Sequence, residues 1–193
     1  MKKLILITGL LIGLVSLPIE LTGPRYRIEG ILGAGYKPDP HDENDKNFKG
    51  NYINVDVSLG FSPEWMLKIN DKFDITFGPK ITTSIFTSSY KLYDEYERRI
   101  FWGIGTGIRV DFNYTVTNNI KLYTGIETLA TVRPDIHVSK IMIGGSNIEL
   151  LVHPTILGKF SIGTKIKKYN VGLYTEFGLN KELVGGLEVG YTF

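Results

Sequence analysis

The sequence predicts an all-β fold: a closed antiparallel transmembrane β-barrel of about eight strands, preceded by an N-terminal signal peptide. Three observations predict it. Apolar residues alternate with small or charged ones in segment after segment along the chain. One such segment, 98–114, is far longer than the five or six residues usual in soluble strands. The first residues have the layout of an export signal.

Composition narrows the class. At 193 residues the chain is one domain after a leader. Hydrophobic residues make up 42%, too many for disorder, yet mean hydropathy is near zero and no apolar run is long enough for a transmembrane helix. The 22 Gly, 11 Tyr and 10 Phe suit strands and turns better than a helical bundle. A net charge of +2, with no basic cluster among stacking aromatics, excludes nucleic acid as a partner. The absence of cysteine excludes disulfides, thiolate metal sites and a cysteine nucleophile.

The elements follow in order. Lys2 and Lys3 precede an apolar stretch, 4–17, broken only by Thr8, Gly9, Gly13 and Ser16 and too short to span a bilayer. Cleavage is expected after Ser16 or within 18–23, giving a signal over 1–23 and a barrel over 24–193. The first strand sets Tyr26, Ile28, Gly30, Leu32, Ala34 and Tyr36 against Arg25, Arg27, Glu29, Ile31, Gly33 and Gly35. The second sets Ile53, Val55, Val57, Leu59 and Phe61 against Asn54, Asp56, Ser58 and Gly60. The third runs over 73–85 with Asp74, Thr76, Gly78 and Lys80 on its polar face, and Pro79 predicts a bulge or bend.

The fourth strand, 98–114, is the clearest. Ile100, Trp102, Ile104, Thr106, Ile108, Val110, Phe112 and Tyr114 oppose Arg99, Phe101, Gly103, Gly105, Gly107, Arg109, Asp111 and Asn113. From Trp102 to Tyr114 a tilted strand covers about 30 Å, the height of an apolar band between two aromatic girdles, here Trp102 at one end and Phe112 with Tyr114 at the other. Charges opposite so long an apolar stripe put the greasy face toward lipid, the reverse of a soluble lipocalin-like barrel. Further alternation marks strands at 120–127, 160–166, 171–179 and 187–193, eight in all.

Long polar connections at 37–50, 86–98 and 132–154, with a short one at 180–183, alternate with turns at 62–72, 115–119 and 167–170. That is the rhythm of external loops and periplasmic turns. The segment 135–152 is too apolar for an ordinary loop. With a hairpin turn at Gly144-Gly145-Ser146-Asn147 it is either an extended hairpin or two more strands, making ten.

The chain closes on Leu187, Val189, Tyr191 and Phe193, alternating with Gly186, Glu188, Gly190 and Thr192. A terminal Phe on such a row resembles the insertion signal read by the outer-membrane assembly machinery, with Glu188 standing where that signal often has Gly. By architecture the chain resembles the small OmpA/OmpX-type barrels of the Gram-negative outer membrane. The resemblance implies an outer-membrane location, a monomer, and contacts with lipid, lipopolysaccharide, the assembly machinery and a host or surface ligand.

The interior of an eight-stranded barrel is just wide enough for side chains to fill. The inward list carries Arg27, Lys80, Arg109, Lys159 and Lys165 against Glu29, Asp56, Asp111, Glu127, Glu176 and Glu188, near balance. A paired plug is therefore expected, with Arg109–Glu127 as the first pair, on adjacent strands. The function expected is structural or surface-interacting, through the external loops, with a small-solute or hydrophobic-compound channel as the alternative. A third reading rests on His137, Ser139 and Glu149, which resemble the His, Ser and Glu set of an outer-membrane lipid A deacylase. One H-x-S pair is common by chance, and the chain is expected not to be an enzyme. His41 with Asp39, Asp42, Glu43 and Asp45 reads as a solvated acidic loop, so no metal and no cofactor are expected.

Overall fold

A computed structural model describes residues 20–38, 51–92, 95–141, 145–178 and 183–193, with side chains placed for 20–35, 53–87, 100–132, 154–178 and 183–193. Eight strands run in chain order: β1 (Glu20–Pro38), β2 (Asn51–Lys68), β3 (Phe73–Leu92), β4 (Glu95–Thr117), β5 (Ile120–Ile141), β6 (Gly145–Ile166), β7 (Tyr169–Gly178) and β8 (Leu183–Thr192). Each pairs antiparallel with the next, and β1 pairs with β8 to close the barrel. Hydrocarbon offers no water to satisfy backbone N–H and C=O groups, so a membrane-spanning sheet needs this closure.

The two faces divide as the alternation requires. Ile28, Leu32, Leu59, Ile81, Ile104, Ile108, Ile162 and Leu173 point outward and are exposed, whereas Arg27, Glu29, Lys80, Arg109, Glu127 and Glu188 point inward and are buried. A fold whose aliphatics face out and whose charges face in needs an apolar surrounding. Aromatics ring the rim that carries the short turns and the C-terminus. Tyr26 stacks on Phe61 at 6.0 Å and meets Phe193 at 5.9 Å, while Phe73–Tyr114 and Tyr169–Tyr191 lie at 5.0 and 5.1 Å. Phe112 and Tyr114 join this rim. Trp102 lies outward toward the opposite end, its Nε1 donating to Thr83 Oγ1 at 2.8 Å.

The alternative left open at 135–152 is settled, and several expectations about connections are corrected. β5 and β6 pair without a break from Ile120↔Ile166 to Ile141↔Gly145, so 135–152 extends the hairpin and the barrel has eight strands, not ten. The turn is displaced as well. Gly145, Ser146 and Asn147 already belong to β6, because the register sets Val138 opposite Ile148 and Ile136 opposite Leu150. The expected 86–98 loop is also mostly strand, since β3 runs to Leu92 and β4 starts at Glu95. The 62–72 turn shrinks because β2 continues to Lys68.

Pro79 produces neither a bulge nor a slip. It stands opposite Pro63, and the β2–β3 ladder is interrupted between Phe61↔Ile81 and Trp65↔Phe77 with its register unchanged. Neither proline has an N–H to donate, and the Ser62 hydroxyl donates instead to the Pro79 carbonyl at 2.7 Å. The register shifts fall elsewhere, between Thr22 and Arg25 in β1 and between Thr115 and Thr117 in β4. In β1 the extra residue falls at Gly23-Pro24, where Gly23 takes a φ of 129° that favours glycine. The expected signal region up to residue 19 and the acidic loop around His41 lie outside the described residues. Glu20, Leu21 and Thr22 pair with Lys68, Leu67 and Met66.

Candidate functional site

The site is the filling of the barrel. Register sets Arg109 of β4 opposite Glu127 of β5, Glu127 opposite Lys159 of β6, and Lys159 opposite Glu176 of β7, so charge alternates in sign around the wall. Across the lumen, Arg109 forms its best-directed pairs with Glu188, Nη2 donating to Oε1 at 2.7 Å and Nη1 to Oε2 at 3.2 Å. Its Nε donates to Asp111 Oδ1 at 2.7 Å. The expected first partner, Glu127, is reached only at 3.5 Å. Adjacent strands bring Cα atoms together, but a long guanidinium in a narrow lumen reaches the far wall.

The other charges complete the cluster. Arg27 lies 2.9 Å from both Glu29 and Asp111 and 3.3 Å from Glu64. Lys80 contacts Glu29 and, at 2.8 Å, Glu127. Lys159 sits 2.8 Å from Glu188 and 3.5 Å from Glu127, and Tyr123 donates its hydroxyl to Glu188 at 2.7 Å. Arg27, Lys80, Arg109 and Lys159 thus face Glu29, Asp111, Glu127 and Glu188, four cations and four carboxylates, none more than 3% exposed. Lys165, at the rim side of the cluster, donates to Asp111 at 2.7 Å.

Asp56 and Glu176 stand apart from this centre, nearer the long-hairpin end. Asp56 accepts from Ser58 Oγ at 2.9 Å, and Glu176 is half-buried beside Tyr174. At the same level Ile31, Tyr174 and Val184 form a buried cluster, with Phe86, Leu129 and Leu157 also turned inward and buried. The filling is therefore layered, ionic at mid-height and apolar beyond it. Glycines make room for it. A Cβ on Gly60 would stand 2.7 Å from Lys80 Cε, and one on Gly125 2.7 Å from Asp111 Oδ1.

The list of inward charges read from sequence left out Glu64, Asp74 and Lys121, although the alternation set Asp74 and Lys121 on the polar faces of their strands. Asp74 accepts from Asn113 Nδ2 at 2.7 Å and contacts Lys121. The signal for Glu64 was present: the polar even positions Asn54, Asp56, Ser58 and Gly60 run on through Ser62 and Glu64, past Pro63. Of the assembly row, Leu187, Val189, Tyr191 and Phe193 all face outward, and Phe193 exchanges backbone hydrogen bonds with Tyr26 at 2.9 and 3.2 Å. The backbone register sets His137 opposite Glu149 and Ser139 opposite Asn147.

A closed barrel with an apolar belt, an aromatic rim and a salt-bridged interior is an outer-membrane β-barrel, and that is the class to which fold and filling assign the chain. No family model matches the chain, and no curated protein matches it. Solved structures do resemble it in fold. Neisserial surface protein A is 12% identical with a TM-score of 0.43, covering 90% of this chain and 97% of that one. Ail, the attachment invasion locus protein of Yersinia pestis, is 13% identical with a TM-score of 0.41, covering 89% of this chain and 100% of that one. The N-terminal β-barrel domain of Pseudomonas aeruginosa OprF is 13% identical with a TM-score of 0.38, at the same coverage.

Proposed function

We propose that the protein is a sealed outer-membrane barrel that presents the end of its β5–β6 hairpin as a surface-interaction element. The observation that carries this reading is the register. Beyond Val132↔Pro154, β5 and β6 form nine further pairs, from Arg133↔His153 to Ile141↔Gly145. β4 stops pairing with β5 at Ile104↔Val132, and β7 stops pairing with β6 at Leu157↔Gly178. The hairpin therefore rises some 20 Å as a two-stranded blade whose two edges pair with no other strand among the described residues, a shape suited to pairing with an extended segment of another chain.

The blade is tested by joining residues 134 and 153 through an Asn-Gly turn. Cells carrying the full and the shortened chains at equal surface level are compared for adhesion to immobilised matrix protein and to heparin. Adhesion that falls only with the shortened chain supports the reading, and equal adhesion overturns it. The hydrolase alternative is separated in the same cells, where Ser139→Ala is expected to leave the lipid A mass spectrum unchanged.

A further inference from the structure

The rim that carries the short turns encloses an open polar mouth of about 90 Å³, lined from all eight strands. Five cations reach it: Arg25, Lys121, Lys165, Lys167 and Lys168. Only two carboxylates do, Glu64 and Asp74. Both are already engaged. Glu64 lies 3.3 Å from Arg27 beneath the mouth, and Asp74 is held by Lys121. Lys165 is committed to Asp111. Among the described residues no carboxylate answers Arg25, Lys167 or Lys168, and the Arg25 Nε is buried without an acceptor. We propose that this mouth binds a phosphate-type oxyanion between Arg25 and the Lys167-Lys168 turn.

Lysines on a mobile surface would hold such an ion no better than bulk salt does. This rim is not a loose surface. Backbone hydrogen bonds link it turn to turn, from Thr115 to Lys72, Lys167 to Asn119, Thr192 to Lys168, and Phe193 to Tyr26, all at 2.7–2.9 Å. Lys167 holds a φ of 55° in a tight hairpin turn, a position where glycine is the unstrained choice. That fixes the turn whose residues Lys167 and Lys168 line the mouth. Lys168 Nζ lies 5.8 Å from the Tyr191 ring centre, a cation–π contact that leaves its charge unneutralised. Charge-assisted donors from Arg and Lys on a fixed frame are the make-up of a phosphate site, and the guanidinium can grip two oxygens at once.

The experiment uses the full chain refolded in zwitterionic detergent and titrated with inorganic phosphate, read by phosphorus NMR linewidths and by the thermal midpoint of the folded gel band. Wild type is expected to broaden the phosphate signal and to gain in midpoint. Arg25→Gln with Lys167→Gln is expected to weaken binding about tenfold or more, as losing two charge-assisted contacts implies. Lys68→Gln, on the same rim but outside the mouth and 2.9 Å from Asp71, is expected to leave it unchanged. Absence of binding in wild type, equal binding in the double variant, or equal weakening in Lys68→Gln each overturns the proposal. Nanodiscs separate the sources. If phosphate binding persists beside phosphatidylglycerol, the ligand is a free anion. If it is lost there but kept beside phosphatidylcholine, the same site takes an anionic lipid headgroup.

Discussion

At the scale of single residues, spacing reveals which side chains share the interior, but not which of them touch. Alternation is a property of one strand, so the inward set of Arg27, Glu29, Lys80, Arg109, Glu127 and Glu188 was legible from sequence. Pairing depends on register, tilt and side-chain reach, which no single strand encodes. Hence the preferred partner of Arg109 moves from the neighbouring Glu127 to Glu188 across the lumen. A double-mutant cycle of Arg109→Met with Glu188→Gln is expected to show coupling above about 1 kcal/mol, with each single change costing about 3–5 kcal/mol. Coupling should be smaller with Glu127, which Arg109 reaches only at 3.5 Å and Lys80 holds at 2.8 Å. Urea unfolding of refolded protein in detergent reads both, and a stronger Glu127 coupling would restore the adjacent-strand pair. The glycines carry a second test. A side chain at 125 would enter space held by Ser161 and Asp111, its Cβ only 2.4 Å from Ser161 Oγ. Gly125→Val is therefore expected to destabilise by ~1–3 kcal/mol in the same assay.

At the scale of elements, the strands inside the membrane were readable and their extensions beyond it were not. Lipid demands an apolar residue at every second position, and 98–114 shows that demand from end to end. Outside the bilayer either face of a hairpin can meet water, so the pattern fades although the backbone stays paired. That is why 86–98 read as a loop while β3 and β4 extend into it, whereas 135–152 kept enough apolar residues to be read as an extended hairpin or two more strands. The second strand, read only to Phe61, likewise runs on through Pro63, where the Ser62 hydroxyl donates to the Pro79 carbonyl. The outward face of β4 is checked with Ile108, which is 63% exposed. Ile108→Arg is expected to destabilise the folded barrel by ~2–4 kcal/mol, since the site lies near mid-height of the apolar belt. Reversible unfolding in phospholipid vesicles measures it, and a neutral result would remove the lipid-facing assignment. Inward Gly105→Ser is no mild control, because a Cβ there already meets Thr82 Oγ1 and Thr131 Cγ2 at 2.8 Å.

At the scale of the whole molecule, closure, export and sealing are linked. Glu20, Leu21 and Thr22 extend the β1–β2 ladder, so a signal removed through residue 23 would delete three register pairs and the Gly23 bend. We expect cleavage upstream of Glu20, within the 16–19 part of the sequence window. The intact mass of protein extracted from outer membranes decides this, and a mature chain starting at Pro24 refutes it.

Sealing is the larger question, because it separates a surface barrel from a channel. The sequence disclosed balanced charge but not the second, apolar layer of inward side chains. The ionic layer spans it through Arg109 and Glu188, and beyond that Ile31, Phe86, Leu129, Leu157 and Val184 turn inward. On the sealed-barrel proposal each layer blocks the path for a different physical reason. An ion crossing the first must displace paired charges, and one crossing the second must shed its hydration among apolar side chains. Two blocks in series predict a specific non-additivity. Wild type is expected to show no steady conductance in planar bilayers. Arg109→Met with Glu188→Gln should stay closed because the apolar layer remains, and Phe86→Gly with Leu129→Gly should stay closed because the ionic layer remains. Only the fourfold variant, checked for folding by heat-modifiable mobility, should conduct. Steady openings in wild type, or in the ionic-layer double variant alone, would mean that water already threads the apolar layer and that the barrel is a channel.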